Sequence, residues 1–356
     1  MVQRTSSDSA ASAEAMVMDL SPKRPAKSYG GEGGSYFDWS PSELPMLRAA
    51  SIGAAKLSLA AGGLALPFYS DSAKVAYVLH GKGTCAVLLP ETPSEKILPI
   101  KEGDALALPF GVVTWWHNLH AATTELVVLF LGDTSKGHTA GRFTNMQLTG
   151  STGIFTGFST EFVARAWDLP QDASASLVST QPGAGIVKLK DGFRMPEGCD
   201  KDREGMVLNC LEAPLDVDIK NGAAWWIDGH SMCSPGFSCD SAYQVTYIVR
   251  GSGRVQVVGI DGTRVLETRA EGGCLFIVPR FFVVSKIADD SGMEWFSIIT
   301  TPNPIFSHLA GRTSVWKAIS PAVLQASFNT TPEMENLFRS KRLDSEIFFA
   351  PNSNSI

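Results

Sequence analysis

Gly62 to Gly81 read GGLALPFYSDSAKVAYVLHG, and the second part of that stretch opens a pattern that the chain contains twice. KVAYVLHGKGTCAVLL (Lys74 to Leu89) matches QVTYIVRGSGRVQVVG (Gln244 to Gly259). Each is an apolar strand, a Gly-x-Gly turn and a returning strand. EGDALALPFGVVTWW (Glu102 to Trp116) likewise matches EGGCLFIVPRFFVVS (Glu271 to Ser285). A further strand follows in each case, TELVVLFLG or MEWFSIITT. Asp261-Gly262 adds a type I′ hairpin signal in the second copy.

A helical segment closes each copy. STEFVARAWDLP places Phe162 and Ala166 one turn apart behind a Ser-Thr start. Ser320-Pro321 supplies an N-cap and a first-turn proline, after which Leu324 and Phe328 share a face. The pattern predicts an all-β chain of two tandem jelly-roll barrels, each followed by a short helical arm. The expected divisions are a disordered polar tail over 1–33, a first barrel and arm over 34–192, and a charged linker over 193–205. A second barrel and arm over 206–342 and a tail over 343–356 complete the plan. The second copy is the shorter. Gly34 to Tyr77 spans 43 positions and Gly222 to Tyr247 only 25, so an edge strand and its approach have no room there.

The spacing around the opening stretch carries a resemblance. Gly62, Phe68, Ser70, Lys74 and Gly81 fit the frame G-x5-H-x-H-x3-4-E-x6-G. Gly103, Pro109, Gly111, Thr114 and Asn118 fit G-x5-P-x-G-x2-H-x3-N. The chain therefore resembles a two-domain plant cupin, and more narrowly the legumin-type seed storage globulins. GIFTGFSTEFVARAWDLP and EWFSIITTPNPIFSHLAGRTSVWKA are the segments most similar to that family. In the resemblance the His and Glu positions are metal ligands, but here they hold Phe68, Ser70, Lys74 and Thr114. Phenylalanine cannot ligate, neutral hydroxyls bind transition metals poorly, and lysine puts a positive charge where the cation would sit. No metal and no other cofactor is expected. In the second copy Gln244 falls at the acidic position. The paired His positions fall at Ser238 and Asp240, or at Phe237 and Cys239 with the longer spacing. Phe281 replaces a glycine of the frame, and Val284 replaces its histidine.

Strand alternation points Phe68, Ser70, Lys74, Thr114 and Trp116 into the first barrel, and Tyr77 is grouped with them as a pocket for a small hydrophobic metabolite. Ser238, Asp240, Tyr243, Gln244 and Val284 form the corresponding group of the second barrel, with Tyr247 and Lys286 as further polar candidates. Lys74 admits two readings. Buried, it would have a depressed pKa and could serve as a base or form a Schiff base; alternatively it snorkels to the barrel mouth. His230, Cys233 and Cys239 lie close in sequence, with Asp240 as the local fourth group that a zinc site would need. Storage globulins are also cut at an Asn-Gly site followed by acidic residues. Asn221-Gly222 here precedes Ala-Ala-Trp-Trp instead.

The remaining features narrow the function. The net charge of −6 offers no basic stripe for phosphates, so no nucleic-acid partner is expected. No apolar run reaches the length of a membrane span. The first residues contain no apolar signal-peptide core, and the six cysteines are scattered. Those two features predict a cytoplasmic, non-secreted protein with reduced thiols. SPKRPAK (Ser21 to Lys27) is a candidate nuclear address. No Ser-His-Asp order, Gly-x-Ser-x-Gly, P-loop or Rossmann signature occurs. The expectation is a metal-free, non-enzymatic storage-type bicupin. It self-associates, as a trimer, through its arms. A metal-independent isomerase or cyclase using Lys74 is the alternative.

Overall fold

The computed structural model describes residues 19–350 apart from 91, 120, 180–182, 213–222, 240, 260, 261, 302, 320, 344 and 346. Asp240, Asp261, Ser320 and Asn221-Gly222, all named above, lie outside the described residues. Among the described residues helices α1 (Met46–Ala50), α2 (Thr160–Trp167), α3 (Gln171–Ser179) and α4 (Asp200–Arg203) precede the gap at 213–222, and α5 (Val315–Ala318), α6 (Pro321–Phe328) and α7 (Pro332–Arg339) follow it. Thirteen strands among the same residues also precede the gap. They are β1 (Ala26–Gly31), β2 (Gly34–Asp38), β3 (Ile52–Leu59), β4 (Gly63–Ser70), β5 (Ala73–His80), β6 (Lys82–Leu88), β7 (Lys96–Lys101), β8 (Asp104–Leu108), β9 (Val113–His117), β10 (Leu126–Asp133), β11 (Asn145–Gln147), β12 (Ile186–Lys188) and β13 (Val207–Asn209). They form two sheets, one in the order β1-β2-β3-β10-β5-β8-β13 and one in the order β11-β4-β9-β6-β7 with β12 on β4. All the pairings are antiparallel, as a jelly roll requires.

After the gap come β14 (Ala223–Ile227), β15 (Met232–Ser238), β16 (Gln244–Val258), β17 (Arg264–Glu271), β18 (Leu275–Val278), β19 (Val283–Ile299), β20 (Phe306–His308) and β21 (Phe348–Phe349). These belong to one eight-stranded sheet, because β16 and β19 run unbroken from one face of the barrel to the other. Here the Gly-x-Gly expectation needs correcting. Gly81 and Gly251 do not close hairpins: β5 pairs with β10 and β8, while β6 pairs with β7 and β9. They are corners at which one strand passes between faces. Both have positive φ (79° and 74°). A Cβ would meet a backbone oxygen at 2.2 Å on Gly81 and 2.1 Å on Gly251, so only glycine permits the bend. The genuine hairpin of the second copy lies between β16 and β17, around Gly262.

Three segments expected as tail or linker are structured. β1 falls inside the expected 1–33 tail, Leu20 is buried, and Lys23 exchanges two backbone hydrogen bonds of 3.0 Å with Leu275 of the second barrel. Within the expected linker, α4 (Asp200–Arg203) lies against β7, and Arg203 donates to the fully buried Asp104 carboxylate at 2.8 and 3.0 Å. β13 then joins β8, so residues 207–209 extend the first barrel instead of opening the second. At the far end, β21 pairs with β15, and Phe349 is buried within the expected 343–356 tail. Backbone pairing and apolar burial each override a polar local composition.

The arms sit outside the barrels. α2 (Thr160–Trp167) begins at Ser159, whose side chain accepts the Phe162 N–H. It buries Val163 and leaves Phe162 and Trp167 exposed. α6 (Pro321–Phe328) buries Leu324, and α7 (Pro332–Arg339) exposes Met334, Leu337 and Phe338. The two barrels meet through an aromatic seam. Tyr77 stacks on Phe296 at 4.3 Å between centroids, and Trp39 packs edge-on against Tyr247 at 6.0 Å.

Candidate functional site: two barrel interiors

In the first barrel, β4, β5, β9 and β10 turn Phe68, Ser70, Lys74, Thr114, Trp116 and Phe130 inward, all buried. Phe68 lies across from Thr114, and the Trp116 indole N–H donates to Thr114 Oγ1 at 3.2 Å. Trp116 packs edge-on against Phe130 at 5.5 Å. Lys74 does not snorkel. Its Nζ lies 4.4 Å from the centroid of Phe143 and 5.5 Å from that of Phe130, with a hydrogen bond to Asn145 Oδ1 at 3.4 Å. Burial pulls its pKa down to about 7, and Asp71 opposes the shift only weakly. Two aromatic rings therefore flank the amine. Thus five of the expected residues share a face, but they meet as packed core.

Tyr77 does not join them. Lys74, Ala76 and Val78 point inward, so Tyr77 has the opposite parity and forms the seam with Phe296. Tyr247 repeats this outward placement in the second barrel, against Trp39.

The second barrel is filled differently. Thr114 and Val284 occupy the same place in the two copies. Thr114 pairs with Phe68, but Val284 pairs with Gly236. Counting back along the sequence therefore put Ser238 two residues beyond the true counterpart of Phe68, because the β15–β16 connection is longer than the β4–β5 one. Trp116 lies between Ala65 and Cys85, and Lys286 holds the matching place between Cys233 and Val255. Phe130 faces Ala76, while Ser297 faces Thr246 and shares a 2.9 Å hydroxyl hydrogen bond with it. Three aromatic positions of the first barrel thus hold glycine, lysine and serine in the second. A cavity of about 170 Å³ results. Its walls include Trp225, Trp295, Phe306 and Phe348, with Gln244, Val284, Lys286, Ser297 and His308.

Of the residues expected in this second site, Gln244 and Val284 line the cavity. Ser238 is buried beside Phe306, on the adjoining stretch of β15. Tyr243 lies at the seam, with its hydroxyl donating to Ala49 O at 3.4 Å and Arg280 over its ring. The wall aromatics and His308 were not foreseen. The sequence signal for the change of filling was the repeat itself, in which Trp116 aligns with Lys286. His230, Cys233 and Cys239 separate: His230 faces Asp290, Cys233 lies in β15, and Cys239 contacts Ser307. Among the described residues no three His, Cys, Asp or Glu side chains gather.

The family model described as "Cupin" matches residues 20–173 and 220–336, more than half of the chain. The chain belongs to the cupin family. Among the relatives of this cupin is the cashew (Anacardium occidentale) 11S globulin seed storage protein Ana o 2.0101. It is 25% identical, with 85% of each chain covered. The Arabidopsis thaliana 12S seed storage protein CRD is 23% identical over 87% of this chain and 86% of that protein. Among solved structures, the coconut allergen cocosin superposes with a TM-score of 0.83 at 22% identity, over 94% of this chain and all of that one. The tandem jelly-roll reading and the storage-globulin resemblance hold. The expected cytoplasmic, non-secreted location does not. The relatives are seed storage globulins, which enter the endomembrane system and are stored in protein storage vacuoles. The absence of an apolar core near residue 1 was a weaker guide than the likeness across both barrels. The 11S globulin neighbours of this cupin are oligomers.

Proposed function

We propose that this cupin is a non-enzymatic storage protein of the 11S globulin type, a nutrient reservoir of the seed. The supporting observation is the first barrel axis. The positions at which the cupin frame places metal ligands hold Phe68, Ser70, Lys74 and Thr114, packed against Trp116 and Phe130. An acid–base isomerase acting through Lys74 is disfavoured by the rings that enclose its amine. Fractionation of developing and germinating seed tests the reading. The protein should accumulate with storage vacuoles and be degraded during germination. A cytosolic pool that persists through germination would overturn it.

The self-association is a trimer closed head to tail by the arms. α2 presents Phe162 and Trp167 to solvent, and α7 presents Leu337 and Phe338. These are two different apolar surfaces at opposite halves of the chain, which suits a heterologous contact that closes into a ring. Light scattering should give three times the chain mass, and Phe162→Asp with Trp167→Asp should reduce it to one. A wild-type protein that scatters as a monomer at micromolar concentration would remove the proposal.

A further inference from the structure

We propose that Asn329, in the turn between α6 and α7, is an N-glycosylation site that takes an oligosaccharide from a lipid-borne donor as the chain passes through the endomembrane lumen. The proposal rests on the storage reading for that passage, which the relatives make, and goes beyond it in naming a modification.

Asn329-Thr330-Thr331 is the one Asn-x-Ser/Thr sequence in the chain, and its middle residue is not proline. The structure leaves its amide open to a transferase. Asn329 is exposed, has a φ of 49°, and directly follows the last residue of α6. The Thr330 N–H donates to Gln325 O at 3.0 Å, which closes α6 in a Schellman turn. Thr331 then caps α7, its Oγ1 accepting the Met334 N–H at 3.3 Å. These two uses fix the backbone but do not engage the Asn329 carboxamide. Among the described residues no hydrogen bond holds that group. The caps alone also do not select these two residues. Glycine suits the left-handed position better than asparagine, and serine, aspartate or asparagine caps a helix at least as well as threonine. Asparagine with threonine two positions on is the combination that a transferase reads.

In the transfer, the Asn329 amide nitrogen bonds to the anomeric carbon of an oligosaccharide carried on a lipid pyrophosphate. The bond from that carbon to the pyrophosphate oxygen breaks, and the lipid pyrophosphate leaves with the electron pair. The amide gives one proton to a base of the transferase. Transfer to the nascent chain precedes the capping bond, so the Thr331 hydroxyl serves both. Pro332 follows the sequence and holds Thr331 extended, at φ −78° and ψ 159°. That restrains the fold-back that transfer requires, so occupancy is expected to be partial. The position is compatible with self-association. Leu337 and Phe338, which carry the proposed ring contact, lie in the last turn of α7. The glycan leaves from the other end of that helix, where its bulk and hydration meet solvent.

Peptide mapping of the full chain from developing seed, after release with peptide:N-glycosidase A in heavy-oxygen water, provides the test. Release converts a glycosylated Asn329 to an isotopically marked Asp, and that mark should appear in a fraction of the chains. Pro332→Ala should raise the fraction. Thr331→Asp, which keeps a helix cap, should abolish the mark, and Thr331→Ser should retain it. Unmarked Asn329 in chains recovered from storage vacuoles would overturn the site and leave the storage reading standing. Unmarked chains found in the cytosol would overturn both. A mark that persisted in Thr331→Asp would also overturn the site, because the modification would then not depend on the Asn-x-Thr pattern.

Discussion

The two barrels share strands and corners, yet aromatic rings fill the first axis while the second holds a cavity of about 170 Å³. Phe68, Trp116 and Phe130 close the first axis, whereas Gly236, Lys286 and Ser297 leave the second open. Among the described residues each barrel also buries one lysine, from different strands: Lys74 on β5 and Lys286 on β19. The contrast separates two things that a repeat can preserve. Backbone pairing and corner glycines fix the barrel. The residues on the inner face are free to exchange bulk for space, provided that each buried polar group still finds a partner.

The sharpest way to break the contrast is to hollow the first barrel. Trp116→Ala removes a fully buried indole from a packed cluster and should cost about 3–5 kcal/mol of unfolding free energy. Urea denaturation measures it. A loss below about 1 kcal/mol would mean that the first axis collapses freely, and that the second barrel is hollow for some reason other than its residues.

A second difference lies at the barrel edge. Asp104 is fully buried beneath Arg203, Asn209 and the Lys101 N–H, whereas the matching place in the second barrel is Cys274. Burial pushes the Asp104 pKa up, but those hydrogen bonds outweigh it and hold the carboxyl below its ordinary value. The stabilisation is therefore present above the unfolded-state pKa, about 4, and is lost as pH falls through the depressed folded value. Arg203→Met should cost about 2–4 kcal/mol at pH 7, in the range for leaving a buried charge short of its partner. It should also flatten the acid limb of stability below pH 4. An unchanged acid limb would detach Asp104 from acid unfolding.

The lysines give a smaller effect of opposite sign. Lys74 titrates near pH 7 in the fold, against about 10.5 when unfolded. Below pH 7 both states hold the proton and the penalty of burying the cation is complete. Between pH 7 and 10.5 the unfolded state binds more protons, so stability rises with pH. Lys74→Met should stabilise the protein by about 1–3 kcal/mol at pH 6, an advantage that shrinks towards pH 10.5. Thermal unfolding across that range measures it. Destabilisation at pH 6 would show that the Phe143, Phe130 and Asn145 contacts more than offset the buried charge.

Much of this was legible in the sequence. The two frames, with Gly62, Gly103 and Pro109 in step, carried the barrel because spacing between strand corners is a backbone property. Parity then placed Phe68, Ser70, Lys74, Thr114 and Trp116 on one face. Parity applied to Tyr77 would have placed it outside, since three positions separate it from Lys74. Ser238 failed for a different reason. Counting along the chain assumes equal loops, and register across Val284 does not. The corners at Gly81 and Gly251 read as hairpins because a glycine with positive φ serves both purposes, and only the neighbouring strands distinguish them. β13 and β21 were invisible as strands because their partners lie far away in sequence, whereas β1 pairs with the neighbouring β2 and was hidden by its polar, Gly-rich composition.

The finest prediction concerns how polarity is tolerated on the hollow axis. Thr246 and Ser297 are buried and joined by a 2.9 Å hydroxyl hydrogen bond, where the first barrel has Ala76 and Phe130. Removing one hydroxyl leaves the other without this bond, so Ser297→Ala or Thr246→Val alone should cost about 1 kcal/mol. Removing both leaves nothing to satisfy, and Thr246→Val with Ser297→Ala should fall within about 0.5 kcal/mol of the wild type. Chemical denaturation of the three variants closes the cycle. If the double variant lost as much as the two single ones together, the hydroxyls would be satisfied separately, by groups or water in the cavity.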